Sequence, residues 1–385
     1  MRADGDPIHT AAVRAAGVIM ILCLAVAGPL AAQGARASEA AFARGKPLGE
    51  WLAQADHYIP ELRREAVKAI ATLGPGARAA LPTLLRAARD EHQEVRYWAI
   101  EAIRRIGPDA RDAAPVLLTV LADDVRPVQQ VARRALEALG PPATPLLLPS
   151  LGSRDAWVRA NAAEAIGVIG AAPGKTVRQL ALLLADDSLW VRASAAWALG
   201  HLGRAAKPAT RPLIDLLQEE LRHDPTLADP AQRARVENLC YALGRIGKDA
   251  GDAVPALLSV FFDGGDSLRS VAVAALAGVG NRAAEPLGKA ARSGPMAVRL
   301  DAAQALRLMG PEGRKAVPDL VKVLEGTDEL EGGHDLVIAV ADALGAMGKS
   351  ARPALGVLER QRRKSVSPDV VAALDRALRK ARLGG

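Results

Sequence analysis

One short segment recurs ten times along this chain of 385 residues, and its spacing restricts the fold more than any other feature. Each copy has an alanine seven residues after its start and an isoleucine or leucine next, and nine copies have a glycine four residues further on. Most copies follow one another at 30 to 34 residues. A period of this size predicts stacked supersecondary units. The ten alanines are Ala69, Ala102, Ala135, Ala165, Ala198, Ala242, Ala275, Ala305, Ala343 and Ala377.

The copy from Val191 to Gly203 shows what the segment is physically. Val191, Ala195, Ala198 and Leu202 fall within an arc of roughly 60° on a helix. We therefore predict one buried stripe, in which small alanines let a neighbouring helix come close. Gly203 is predicted to end the helix in a left-handed conformation. We call the helix of each recurring segment helix A.

A second helix, helix B, is predicted after each glycine. Its usual sign is a proline followed by aliphatic residues, and proline is well suited to the first turn of a helix. One further helix B is predicted ahead of the first helix A, at residues 47–52. The sequence therefore predicts an all-α solenoid of about ten stacked helical hairpins, without strands. The opening prolines are Pro82, Pro115, Pro145, Pro212, Pro255, Pro286, Pro318 and Pro353.

The motif in residues 191–203, followed by Pro212 and Leu213, resembles HEAT repeats, specifically the short HEAT-like kind first associated with phycobilisome lyases. The resemblance covers about residues 47–382. It implies an α-solenoid whose relatives are mostly protein-binding scaffolds, with chromophore lyases, hydroxylases and DNA-repair enzymes among them. On this basis residues 38–61 form an N-terminal capping half-repeat and residues 62–385 the repeat array.

The first 37 residues stand apart from the array. Two arginines precede an apolar run from Ala15 to Ala32, and Ala35 and Ala37 offer small residues at the −3 and −1 positions of a cleavage site. This pattern is typical of a secretory signal peptide, and we expect cleavage before Ser38. A retained membrane anchor is the alternative. The expected location is the bacterial periplasm or cell envelope.

The net charge of +7 is unevenly placed. Residues 352–385 carry +6, whereas residues 38–351 balance to zero. A neutral array does not favour general binding to a phosphate backbone. The basic end is expected to provide a polar capping surface, with attraction to an anionic envelope surface or an acidic partner as the alternative. Its central residues are Arg360, Arg362, Arg363 and Lys364.

An arginine follows the start of helix A in six repeats, often with an acidic residue just ahead of the helix. We expect these arginines to cap helices and to pair from one repeat to the next, as a structural ladder. A ligand-binding arginine row is the alternative. The six are Arg63, Arg96, Arg159, Arg192, Arg269 and Arg299.

Two sets of residues are candidates for binding a partner. Trp157 and Trp190 occupy the same position, just before the start of helix A, in adjacent repeats. Exposed tryptophans often anchor partners, although both could instead fill the seam between hairpins. The second set, Arg222, His223 and Asp224, belongs to an insertion of 11 residues within residues 221–234. Insertions in solenoids often form loops on a binding face, and a tolerated loop is the alternative.

Enzyme signatures are sparse. Cys240 is predicted to be a buried helix residue, and the histidines form no HExxH motif. Trp98, Trp197 and Tyr241 are predicted to be packing residues. We therefore predict no cofactor and no metal site. The leading hypothesis is an exported, non-enzymatic scaffold that binds a protein or peptide on the helix B surface. The alternatives are an enzyme of the bilin-lyase kind and nucleic-acid binding through the basic C-terminal end.

Overall fold

The structure is a computed structural model that describes residues 42–170, 174–223, 227, 229–326 and 333–383. The predicted signal peptide and Asp224 lie outside these residues. The described part contains twenty α-helices, in which short helices B alternate with longer helices A. The predicted all-α solenoid of helical hairpins is thereby confirmed. The expected absence of strands is wrong at one place, because a pair of two-residue antiparallel strands, β1 (Phe42–Ala43) and β2 (Lys46–Pro47), precedes the first helix.

The odd-numbered helices are the helices B and the even-numbered helices are the helices A. The helices B are α1 (Leu48–Ala55), α3 (Leu81–Ala87), α5 (Ala114–Val120), α7 (Thr144–Leu147), α9 (Gly174–Leu182), α11 (Thr210–His223), α13 (Val254–Asp263), α15 (Ala284–Ser293), α17 (Val317–Glu325) and α19 (Leu355–Lys364). The helices A are α2 (Pro60–Ala71), α4 (Gln93–Ile106), α6 (Arg126–Leu139), α8 (Ala156–Ile169), α10 (Leu189–Leu202), α12 (Pro230–Ile246), α14 (Gly265–Val279), α16 (Met296–Met309), α18 (Gly333–Met347) and α20 (Pro368–Leu383).

The chain divides into two compact units, Met1–Ala172 and Pro173–Gly385. Helices α1–α8 belong to the first unit and α9–α20 to the second. Within each unit, successive helices A pack against one another and each hairpin packs against the next. Among the described residues, no helix has the length and apolar character needed to span a membrane.

The alanine stripe is buried as predicted. None of the ten recurring alanines is more than 2% exposed. Ala242, Ala275 and Ala377 lie against glycines of the preceding helix A, where a larger side chain would have to displace a neighbour. The small residue at this offset therefore sets how closely the repeats stack.

The nine glycines that follow the helices A all have positive φ, between 54° and 83°. Only part of the prediction for them is right, because the left-handed helical conformation is found at Gly170 but not at Gly203, where it was predicted, nor at Gly107 or Gly140. Gly107 and Gly140 have ψ near −141° and −164°, a region that is almost restricted to glycine. The chain therefore turns sharply after helix A because glycine alone tolerates this backbone conformation.

The segment between helix A and helix B is more regular than the predicted loop. In six of the described repeats it forms a seven-residue 3₁₀ helix whose last alanine is buried. Pro353 lies in one of these turns, so its predicted place in the first turn of a helix B is wrong. The six turns are Gly74–Ala80, Gly107–Ala113, Gly203–Ala209, Gly247–Ala253, Gly310–Ala316 and Gly348–Ala354.

Candidate protein-binding surface

The first arginines of the predicted ladder form paired contacts between repeats. The Arg63 guanidinium donates to both carboxylate oxygens of Asp90, at 2.7 and 2.9 Å, and Arg96 binds Asp123 with the same two distances. Each arginine also donates to two backbone carbonyls at the turn before its own helix. These guanidinium groups fasten one hairpin to the next, so the arrangement serves structure.

The ladder changes along the chain. Arg159 donates to the carbonyls of Ser153 and Arg154, and Arg192 lies 3.4 Å from a carboxylate oxygen of Glu219. Arg269 instead pairs with Asp266 of its own helix, and also lies 3.5 Å from Asp301 of α16.

Arg299 departs furthest from the predicted ladder. Its Nε donates to the Ala291 carbonyl at 2.9 Å, and among the described residues it has no carboxylate partner. Burial lowers the pKa of Arg299 below its ordinary value. The expected pairing from repeat to repeat is therefore wrong for Arg299. Its acceptor is a backbone carbonyl near the end of α15, the helix B of its own hairpin.

The described ends of the predicted insertion are helical, so Arg222 and His223 lie on a helix and not in the expected loop. Helix α11 continues to His223 and α12 begins at Pro230. At the base of the insertion, Arg235 makes a buried two-point ion pair with Glu220, at 2.8 and 3.0 Å. Leu227 is 2% exposed and has a positive φ of 51°. Arg222 and His223 are exposed. The insertion is anchored in the core by Leu227 and by the Glu220 ion pair.

The two tryptophans proposed as partner anchors lie in different units. Trp157 is half-buried, and its backbone N–H donates to Asp155, which caps α8. Trp190 is 44% exposed at the start of α10. A partner-binding role for these side chains stays a prediction.

An aromatic row crosses two neighbouring helices A of the second unit. The rings of Trp197 and His201 lie 3.7 Å apart between centroids, and His201 lies 5.5 Å from Tyr241. Tyr241 is 39% exposed, so its prediction as a packing residue is wrong in part. Its ring covers Gly200, where a Cβ would come within 2.6 Å of it. The sequence held a signal for this exposure, because the polar residues Arg134 and Gln304 occupy the same offset in other repeats and are exposed.

The helices B of the second unit carry a row of exposed side chains that the sequence analysis did not identify. Leu180, Leu217 and Val260 are equivalent buried residues of α9, α11 and α13, which pack in succession. The residue two positions after each of them is exposed. In α15, α17 and α19, the residue two positions after the equivalent buried residue is exposed as well. We call these residues the helix B row: Leu182, Glu219, Phe262, Ser293, Glu325 and Arg363.

Two members of the helix B row are large and apolar. Leu182 is 75% exposed and Phe262 is 47% exposed. Helix α11 lies between α9 and α13. Because neighbouring helices pack about 8–10 Å apart, Leu182 and Phe262 are expected to lie roughly 16–20 Å apart. Glu219 lies between them and is held at 3.4 Å from Arg192. The row therefore offers two apolar contact points separated by a carboxylate.

The four residues of the basic end do not act as a single cluster. Arg360 donates to Glu325 at 3.1 Å, and Arg362 donates to Asp375 at 2.7 Å. Lys364 also has a polar contact. Arg363 has no ion-pair partner among the described residues. Arg360 and Arg362 are therefore neutralised locally by carboxylates, whereas Arg363 is not.

In the part of the chain that the structure describes, the reactive side chains do not form a recognisable catalytic arrangement. Cys240 is fully buried, and burial raises its pKa to about 12, so its thiol stays protonated at neutral pH. Asp90, Glu91 and His92 place ligand atoms within 4.8 Å of one another. The Arg63 guanidinium already lies 2.9 Å from Asp90, 3.2 Å from Glu91 and 3.3 Å from His92 Nδ1. A cationic side chain thus occupies the position that a metal ion would need.

Comparison with known proteins agrees with this architecture. The family model for HEAT repeats matches residues 46–137 and 144–228. Comparison with curated proteins gives no match. Two crystal structures of importin beta, in ammonium sulfate and in polyethylene glycol conditions, are similar with TM-scores of 0.56 and 0.58 at 14% and 15% identity. They cover 87% of this chain, and this chain covers 52% and 54% of theirs.

A structure described as a Kap95:Nup1 complex is similar with a TM-score of 0.57 at 12% identity, covering 87% of this chain and 52% of that chain. The chain thus spans about half the length of these structures, and at such low identity the likeness concerns the fold alone. The narrower resemblance to the phycobilisome-lyase type stays a prediction. The recurring motif, the stacked hairpins and the family match together identify HEAT repeats in this chain, with residues 46–137 and 144–228 matched directly.

Proposed function

We propose that this protein is an exported, non-enzymatic scaffold that binds a protein or peptide on the surface formed by its helices B. The observation that carries the proposal is the exposure of Leu182 and Phe262 at equivalent positions of α9 and α13. Large apolar side chains on a rigid helical surface gain free energy when a partner removes them from water. Such a surface can bind without any catalytic group.

The spacing of the helix B row restricts the kind of partner. A peptide spans at most about 3.3–3.6 Å per residue, so five or six extended residues would reach from Leu182 to Phe262. An apolar side chain at each end of that segment would cover one contact point. A hydrogen-bond donor between them would face the Glu219 carboxylate.

Two further observations support binding of a protein. HEAT-type solenoids present long rows of side chains on regular helices, which suit extended partners. One similar structure is described as a complex of Kap95 with Nup1. The signal-like residues 1–37 support the proposal that binding takes place outside the cytoplasm.

Affinity capture tests the proposal. The protein carrying a C-terminal tag would be used to capture partners from an envelope fraction, with identification by mass spectrometry. The same capture would be made with the Leu182→Asp and Phe262→Asp double variant. Leu308→Asp is the matched control, because Leu308 is a 52% exposed leucine on helix A α16.

We expect a partner that the unaltered protein and the Leu308 variant both retain and that the double variant loses. Retention by all three proteins would exclude the helix B row as the binding surface. Thermal unfolding of each variant, followed by circular dichroism, would show that the folds are intact.

A further inference from the structure

A groove lies between helices α19 and α20 of the second unit and has a volume of about 630 Å³. Leu378, which is 6% exposed, contributes an apolar side chain to its lining. The remaining lining side chains are charged. The groove is therefore a recess with one apolar contact and charged walls.

Two ion pairs fix the walls of the groove. Arg362 binds Asp375 at 2.7 Å, and Arg382 binds Glu359. Each pair joins α19 to α20. These four charges neutralise one another and hold the two helices in place.

Two further arginines, Arg363 and Arg379, also line the groove and have no ion-pair partner among the described residues. The lining therefore has four arginines and two carboxylates, which leaves a net charge of +2. Other arginines on these two helices are paired outside the groove: Arg360 with Glu325 and Arg376 with Asp342. The two arginines of these helices that lack an ion-pair partner among the described residues thus both line the recess.

We propose that this groove binds an acidic peptide segment in which carboxylates flank an apolar side chain. A guanidinium group offers a planar pair of donors that fits a carboxylate. Two carboxylates would neutralise Arg363 and Arg379, and the apolar side chain would contact Leu378. A concave recess favours a chain that can enter it over the flat surface of an anionic bilayer. This inference does not depend on binding at Leu182 and Phe262.

A direct binding measurement with a defined probe tests the proposal. A fluorescein-labelled peptide containing Glu-Glu-Leu-Glu-Glu would be titrated with the full-length chain and followed by fluorescence anisotropy. A peptide with glutamine in place of each glutamate is the probe control. We expect the acidic peptide to bind and the glutamine peptide not to bind.

The protein variant is Arg363→Gln with Arg379→Gln, and its control is Arg360→Gln with Arg376→Gln. Both remove two positive charges from the same two helices, but only the first removes them from the groove. We expect the Kd for the acidic peptide to rise at least about tenfold in the first variant and by less than about twofold in the control. If the double variant unfolds, each single variant is expected to raise the Kd by about threefold.

An equal loss of affinity in both double variants would overturn the proposal, because diffuse charge would then explain binding. No change in either single variant would also overturn it. Vesicles containing phosphatidylglycerol provide a further arm. If vesicle binding requires Arg363 and Arg379 while peptide binding does not, the groove is a membrane-binding site and the proposal is wrong.

Discussion

Gly244 of α12 and Gly278 of α14 face each other so closely that a Cβ on Gly278 would collide with the carbonyl oxygen of Gly244. A Cβ on Gly244 would in turn lie 2.7 Å from the Cα of Ala275. Backbone atoms of one helix A thus contact backbone atoms of the next. The absence of both side chains lets these helices approach at this point.

We predict that Gly278→Ala destabilises the protein. Alanine normally favours a helix over glycine by about 1 kcal/mol, but here the overlap is with backbone and overpacking costs about 1–3 kcal/mol. Gly356→Ala is the matched control, because Gly356 is also helical and its Cβ would meet only a guanidinium nitrogen of Arg360, at 3.9 Å. Urea denaturation should show a loss for Gly278→Ala and a neutral or stabilising effect for Gly356→Ala. Equal effects would contradict the close helix contact.

Leu227 provides a test of the anchored insertion. Because its side chain is 2% exposed, we expect Leu227→Ala to lower the free energy of unfolding by about 2–3 kcal/mol. Val366, which is 92% exposed in the connection before α20, is the control, and Val366→Ala should change it by less than about 0.5 kcal/mol. Chemical denaturation gives both values. A negligible effect at Leu227 would mean that the insertion is a free loop.

The Arg63–Asp90 pair predicts a pH dependence of stability. Burial alone would raise the pKa of Asp90, but hydrogen bonds from Arg63 and from the His92 N–H, together with the charge of Arg63, hold this pKa below its ordinary value. The folded-state pKa is lower than the unfolded one, so the stabilisation is fully present above about pH 3.9 and is lost as the pH falls through the folded-state pKa.

We therefore expect Asp90→Asn to cost about 1.5–3 kcal/mol at neutral pH. This difference from the unaltered protein should shrink as the pH falls below about 4. Asp124→Asn is the control, since Asp124 also pairs with a ladder arginine but its side chain is 87% exposed, and it should cost less than about 0.5 kcal/mol. Urea titrations at several pH values measure both. A cost at Asp90 that did not change with pH would contradict the role of its charge.

Export gives a prediction that is independent of the fold. N-terminal sequencing of the protein recovered from the envelope should begin at Ser38 or within a few residues of it. The physical reason is the apolar run followed by small residues at the cleavage positions. An intact Met1 on a protein found only in the cytoplasm would show that the signal prediction is wrong.

The packing of the solenoid follows from the sequence because it repeats. Ala198 and its equivalents must be small wherever helices A meet, and Gly170 and its equivalents must adopt positive φ wherever the chain turns. Both requirements recur at fixed spacing, so the sequence displays them. The 3₁₀ turns have no comparable signal, because their buried alanines differ little from the alanines of a loop.

The candidate surface was harder to predict, since it depends on the rotation of short helices B. Leu182 and Phe262 are apolar, and only their position two residues after Leu180 and Val260 shows that they face outward. The long insertion before Arg235 also breaks the regular spacing between repeats, which makes equivalent positions harder to assign. The pairing of the basic residues was hidden for another reason: the acid that neutralises Arg360 is Glu325, in the preceding helix B.

The most direct test of the scaffold proposal is the affinity of the captured partner for the helix B row. Isothermal titration calorimetry would give the Kd for the unaltered protein, for Leu182→Asp with Phe262→Asp, and for Leu308→Asp. If Leu182 and Phe262 are the contact points, the double variant should bind at least about 30-fold more weakly, equal to about 2 kcal/mol, and the control should bind within about twofold of the unaltered protein. An unchanged Kd in the double variant, or an equal loss in the Leu308 variant, would contradict the account.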